Sequence, residues 1–410
     1  MEYRFSSRAW GMSASLIRQM FNYAGDVPGA VSLGVGVPSF SLPTYVAKAA
    51  AEALRNDPHI NKYVLGRGLP ELNRAVAEKL EKSGIEGVDP ETEILTTTGS
   101  AGGIFCTTLA VVDYGDDVVV PSPAYSNHIE GIRFAGGKPV YVPLIESEGW
   151  RLDVDGIERA ITERTKAIVL CNPANPTGAV FPEYDMRAVG EIAKERDLLI
   201  FEDNAYAFLT YGDNKHFSLT SVPELRDNVI AFFTPSKEHA MTGFRVGWVV
   251  ANGEVIRKVF DIQDQNYICA PKLSQYIALV ALTGPQDHVE AFRRELAHRR
   301  SIMCARLDRI PGFTYQIPQG AYYVFPRLDQ TLLSREITDK IARRRWEEIP
   351  EEFQTPDTTT ALNILYEAGV VTVPGISFGP QGEGHLRLSF SGEEKDIIEA
   401  LDRIEKWVVQ

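Results

Sequence analysis

The sequence predicts an α/β fold: a large domain with a mostly parallel central sheet, joined to a smaller α+β domain. Short runs that are apolar nearly throughout recur at 116–123, 166–173, 198–204, 228–236 and 246–251. They do not alternate polar with apolar, so they fit strands covered on both faces, as parallel strands are. Helical patterns lie between them, as in PEYDMRAVGEIAKER at 182–196, and strand–helix alternation implies crossover connections. After about residue 285 the pattern changes. Two long helical stretches, 288–309 and 392–408, flank short strands around FTYQIPQGAYYVFPRL, VVTVPG and GHLRLSFS.

Each part of this division has its own support. A chain of 410 residues fits two or three domains at roughly 150 residues each. The expected large domain covers 45–285, and the small one joins 286–410 to the N-terminal segment 1–44. WEEIPEEFQTPDTTT at 346–360 has the composition of an irregular insertion before a final helix. Arg343, Arg344 and Arg345 meet acidic residues at once, which predicts a mixed-charge exposed helix.

Composition narrows the function. A net charge of −13 with no basic arm argues against a nucleic-acid partner. MEYRFSSRAWGMS lacks the apolar core of a signal peptide, and no apolar run reaches spanning length, so a cytoplasmic protein with no membrane partner is expected. Cys106, Cys171, Cys269 and Cys304 are far apart in apolar surroundings and read as buried thiols in a reducing compartment. No spacing suggests a metal.

Ligands of open α/β sheets bind beyond the carboxyl ends of the strands, and that is where the unusual residues fall. NPANPTG (172–178) follows one strand, EDNAY (202–206) closes another and TPSK (234–237) a third. Lys237 is a nucleophile only if burial or charge strips its proton. Arg245, in apolar company, suits a carboxylate or a phosphate. Asp203 at a strand end can present a carboxylate to a pyridinium nitrogen. TTTGSAGGIF (96–105) reads as strand, tight turn and helix start, where backbone N–H groups favour an anion. Two Asn-Pro pairs make NPANPTG a rigid turn that fixes its asparagines. Arg387 in GHLRLSFS fits a bidentate carboxylate clamp.

Ten segments in one order resemble the class I and II aminotransferases of fold type I, which use pyridoxal 5′-phosphate. They are VSLGVGVPSF, YVLGRGLPEL, TGSAGG, PSPAY, NPANPTG, EDNAY, SKEHAMTGFRVGW, PQGAYYVF, VPGISFG and HLRLSFS. The resemblance implies an amino-group transfer between an L-α-amino acid and a 2-oxo acid through a Lys237 aldimine. It implies Asp203 on the pyridine nitrogen, Tyr206 and Asn175 on the phenolic oxygen, and Tyr125 stacked on the ring. Ser100, Ala101, Gly102, Thr234, Ser236 and Arg245 would hold the phosphate. Tyr63 would reach the phosphate of a neighbouring subunit, which implies a homodimer with shared sites. Arg387 would clamp the substrate carboxylate, with Gly36 close to the substrate. The substrate side chain would meet residues 10–20, Tyr125 to His128, or 331–360.

Two residues depart from the family pattern: Asn204 stands where Glu is common, and Glu238 follows Lys237 where a small residue is usual. Ala101 stands where some dicarboxylate-specific relatives carry a lysine. The alternative reading is elimination, replacement or carbon–carbon bond formation, because one carbanion feeds all these outcomes.

Overall fold

A computed structural model describes residues 4–6, 9, 15–64 and 66–410. Residues 10–14 of the expected substrate segment, and Leu65 in YVLGRGLPEL, lie outside the described residues. The central sheet has seven strands: β1 Ile94–Thr97, β2 Asp117–Ser122, β3 Lys138–Pro143, β4 Thr165–Cys171, β5 Leu199–Asp203, β6 Val229–Phe233 and β7 Gly247–Val250. Their spatial order is β1-β7-β6-β5-β4-β2-β3. Strands β3, β2, β4, β5 and β6 run parallel, while β7 runs antiparallel to both β6 and β1. All five expected strands are present, with ends that differ from the expected ones by one to three residues. β3, the partly exposed edge strand, had no apolar run to mark it.

The apolar runs exist because both faces of the sheet are covered. Ile94, Val119, Ile168, Leu170, Ile200, Val229 and Trp248 enter one apolar cluster. Their strand neighbours Leu95, Val118, Val120, Val169, Phe201, Ile230 and Val249 enter another. Successive side chains point to opposite faces, so a strand with two buried faces is apolar at most positions, its few polar residues falling mainly at the strand ends. A third cluster joins Leu16 and Met20 of the helix Leu16–Tyr23 to Leu296 and Met303 of Asp287–Leu307 and to Leu401 and Trp407 of Glu394–Val408. Tyr323–Val324, Leu386–Ser389 and Val373–Pro374 form the small antiparallel sheet beside it.

Two expectations are corrected. The 346–360 stretch is irregular only at 349–355: the helix Lys340–Glu348 runs into it and a second helix starts at Pro356. Asp339 caps the first helix by accepting from Ile341 N and Ala342 N at 2.7 and 2.9 Å. Arg345 forks onto Asp26 at 2.8 and 2.9 Å, a long-range pairing that local composition does not reveal. Arg343 and Arg344 stay exposed, as expected of a mixed-charge helix. Among the cysteines, Cys106 and Cys171 are buried but Cys269 and Cys304 are only half-buried, and all four are free. Cys269 lies in the bend after the helix Gly253–Tyr267 and Cys304 on the helix Asp287–Leu307, both away from the sheet, whereas Cys106 sits on a helix packed against it. Among the described residues no helix is long and apolar enough to cross a membrane.

Candidate active site

One edge of the sheet gathers the carboxyl ends of β1, β6, β5, β4 and β2. β7 runs the other way, so Arg245, just before its amino end, reaches the same edge. A cleft of about 440 Å³ opens there. Its lining includes Ser100, Ala101, Tyr125, Asn175, Asp203 and Tyr206, and also Thr234, Ser236, Lys237, Arg245, Arg387 and Gly36. Of the expected site residues, Gly102 and Tyr63 are not in the lining. Gly102 packs instead against Thr98 and Tyr267, and Tyr63 is 78% exposed.

Lys237 follows Thr234 and Pro235 on the short helix Pro235–Glu238, which Thr234 caps by accepting from Ser236 N at 3.1 Å. Its Nζ donates to Gly36 O at 2.7 Å. That carbonyl also accepts from the Tyr322 hydroxyl at 2.8 Å. Burial lowers the Lys237 amine to about 8, with Arg245 and Arg387 adding repulsion. Near neutral pH a useful fraction is therefore the free amine.

Asp203 accepts from the Ala205 amide at 3.1 Å and pairs with His128 Nε2 at 3.0 Å. His128, on the helix Ser126–Ala135, is buried and turns away from the substrate position assigned to it from sequence. Tyr206 shares a hydrogen bond of 2.8 Å with Tyr323, and burial raises both phenols. Burial likewise pushes Tyr125 up to about 12, so all three hydroxyls keep their protons. Arg387 donates to Asn175 Oδ1 at 3.0 Å and to Gly34 O at 2.7 Å, while its buried Nε has no partner. Its guanidinium sits over the Tyr323 ring, 4.5 Å from the centroid.

The anion cradle is built by close approach. A Cβ on Gly99 would lie 2.6 Å from Arg245 Nη2, and one on Gly247 would lie 2.5 Å from Ser100 N. Both positions must be glycine for β7 and Arg245 to meet the start of the helix Gly99–Val111. Arg245 itself adopts φ 49°, a left-handed conformation that costs about 1–2 kcal/mol in a non-glycine residue. A helix start, two hydroxyls and an arginine make a phosphate site; Asp203 and Lys237 face the same space. The residues present fit pyridoxal 5′-phosphate.

Several site residues carried no clear sequence signal. Tyr322 and Tyr323 sit in the quoted PQGAYYVF segment without an assigned role. Arg18, which lines the cleft from the helix Leu16–Tyr23, falls within the 10–20 stretch expected to meet the substrate side chain but has no signal of its own there. Conversely, Glu238 does not face the cleft: it bonds Lys79 Nζ at 2.5 Å. Asn204 donates to Glu202 Oε2 at 3.2 Å, also away from the cleft. The two departures beside Lys237 and Asp203 therefore leave the reacting space unchanged.

Fold and site define a fold-type I enzyme built to hold pyridoxal 5′-phosphate. Residues 28–404 match the family Aminotransferase class I and II, and the chain belongs to that family. It is a pyridoxal-phosphate-dependent aminotransferase. It is 35% identical to an aspartate aminotransferase of Pyrococcus abyssi, with 96% of each chain covered. It is 34% identical to aromatic-amino-acid aminotransferase 2 of Thermococcus litoralis, covering 98% of this chain and 97% of the relative. The solved aspartate aminotransferase of Thermus thermophilus with maleate superposes with a TM-score of 0.87 at 31% identity, covering 99% of this chain and all of that one.

The lowered amine yields a test. In protein stripped of cofactor, acylation of Lys237 should accelerate up to about pH 8 and then level off, because only the deprotonated amine attacks. Peptide mass spectrometry after a timed pulse reads the profile; a rise continuing to pH 10 contradicts the lowered value.

Proposed function

We propose that Lys237 carries the cofactor and moves the proton between the substrate Cα and the cofactor, with Asp203, Tyr206 and Asn175 holding the ring and Arg387 taking the substrate carboxylate. The carrying observation is that Lys237, Asp203 and Arg387 line one cleft. Bound there, pyridoxal phosphate would supply the electron sink that the chemistry at the substrate Cα needs. Asp203 keeps the ring nitrogen protonated, and His128 holds the Asp203 carboxylate in place. Ser100, Ala101, Thr234, Ser236 and Arg245 would hold the phosphate, and Tyr125 would cover the ring. Gly36 O, which now accepts from Lys237, stands beside the substrate. Arg387 Nε is free to complete a two-point grip on a carboxylate.

The substrate pair is an L-α-amino acid and a 2-oxo acid, and we infer an acidic side chain. Arg18 adds a cation to the cleft, and the named relatives include aspartate aminotransferases. The proposal extends to a homodimer, a cytoplasmic setting and the division into 45–285 against 1–44 with 286–410. Exposed Tyr63, four free thiols and separate apolar clusters support these in turn.

Mixing the cofactor-loaded enzyme with an amino acid and no 2-oxo acid should release one equivalent of 2-oxo acid per site and then stop. Continuous ammonia release would instead mean elimination. Arg18→Ala should lower kcat/KM for aspartate or glutamate at least tenfold and leave an aromatic amino acid within about twofold. Equal losses for both would remove Arg18 from side-chain recognition. Finally, Tyr63→Ala and Lys237→Ala chains, each weak or inactive alone, should regain activity when mixed and refolded, because one site of the hybrid is then intact. No recovery in a verified mixed dimer contradicts the shared site.

A further inference from the structure

Behind the cleft lies a second cavity of about 390 Å³ that transamination leaves unused. Ala205 and Thr234 line both spaces, so a single wall divides them. Asn204 and Glu238, the two residues that depart from the family pattern, both face this second cavity.

Most of its wall is apolar and aromatic, with Leu80, Ile85, Phe208, Phe217 and Trp248 contributing. Concave apolar walls with a few fixed polar groups are the usual form of a small-molecule site. Those polar groups are fixed from below. Buried Glu202 accepts from Ser218 Oγ at 2.6 Å, Leu219 N at 2.8 Å and Asn204 Nδ2 at 3.2 Å. The Asn204 amide is thereby oriented, and its oxygen contacts His216 Nε2 at 2.7 Å. An amide oxygen only accepts, so His216 carries its proton on Nε2 and offers Nδ1 as an acceptor. Burial lowers His216 to about 4, which keeps the ring neutral.

Donors complement this acceptor. Trp248 is 2% exposed, and its buried Nε1 has no partner; an indole N–H can only donate. Lys79 has three N–H donors and pairs with Glu238 at 2.5 Å. The two charges cancel, so the cavity does not call for an ion.

We propose that this cavity binds a small uncharged aromatic molecule bearing a hydroxyl group, and that its occupancy alters turnover at Lys237. The hydroxyl supplies what the walls lack: a donor for His216 Nδ1 and an acceptor for Lys79. Coupling is short. Glu238 adjoins Lys237 on the helix Pro235–Glu238, and Thr234, which caps that helix, stands in the shared wall. The inference does not depend on the substrate side chain or on the shared dimer site.

The probe is 4-methylphenol, which has neither the amine nor the carboxylate that the cleft recognises. Titrated calorimetrically into cofactor-loaded enzyme, it should bind saturably at one site per chain and lower kcat without raising the KM of the amino acid. Ser83→Trp, an exposed rim position, should abolish binding while basal kcat stays within twofold. His216→Phe should weaken binding about tenfold by removing one buried hydrogen bond; it carries the test if the first variant misfolds. Absence of saturable binding to the wild type overturns the proposal. So does binding that competes with the amino acid and survives both substitutions, since that places the probe in the cleft.

Discussion

Charge imbalance is the constraint on which this structure turns. Among the described residues lining the cleft, Arg18, Lys237, Arg245 and Arg387 face a single carboxylate, Asp203. Such a space is electrostatically incomplete until anions enter it, and a phosphate and a substrate carboxylate are the anions that the family chemistry brings. The same imbalance helps lower the Lys237 amine, because Arg245 and Arg387 add to the effect of burial. The cations that make the cleft electropositive therefore also contribute, after burial, to the lowered Lys237 amine.

Close packing holds this arrangement in place. Gly99 and Gly247 let Arg245 and β7 approach the helix start, where any Cβ would collide. Gly36 is bounded by the Tyr323 hydroxyl in the same way. Tyr323 then touches both halves of the chemistry: its hydroxyl meets Tyr206, and its ring lies under the Arg387 guanidinium. A displacement at either end is transmitted through one rigid side chain. Glu202, fully buried one residue before Asp203, anchors the opposite face of the same strand end by accepting from Ser218, Leu219 and Asn204. The carboxylate that faces the cleft and the one that braces the wall behind it are thus set by the alternation of β5.

What was legible in the sequence is what local chemistry writes there. Doubly buried strands are apolar at most positions, so five of the seven could be read directly. β3 could not, because an edge strand alternates with solvent. Lys237, Asp203, Asn175, Arg245 and Arg387 were legible because each stands in a turn or strand-end segment of unusual composition. The helix at 340–348 was legible from its mixed charges, but its tether, Arg345 on Asp26, was not, because it spans 319 residues of sequence.

The sequence by itself determined the strand–helix alternation, the family and most of the residues that gather in the cleft, since each rests on a contiguous segment. Only the tertiary structure decided which way those residues point. Asn204 and Glu238 are direct neighbours of Asp203 and Lys237, yet both turn through the wall into the second cavity. His128, read as a substrate contact, bonds Asp203 instead. Arg18 and Tyr323 enter the cleft from segments distant in sequence. Side-chain direction depends on how strands and helices pack, and no segment read alone contains that information.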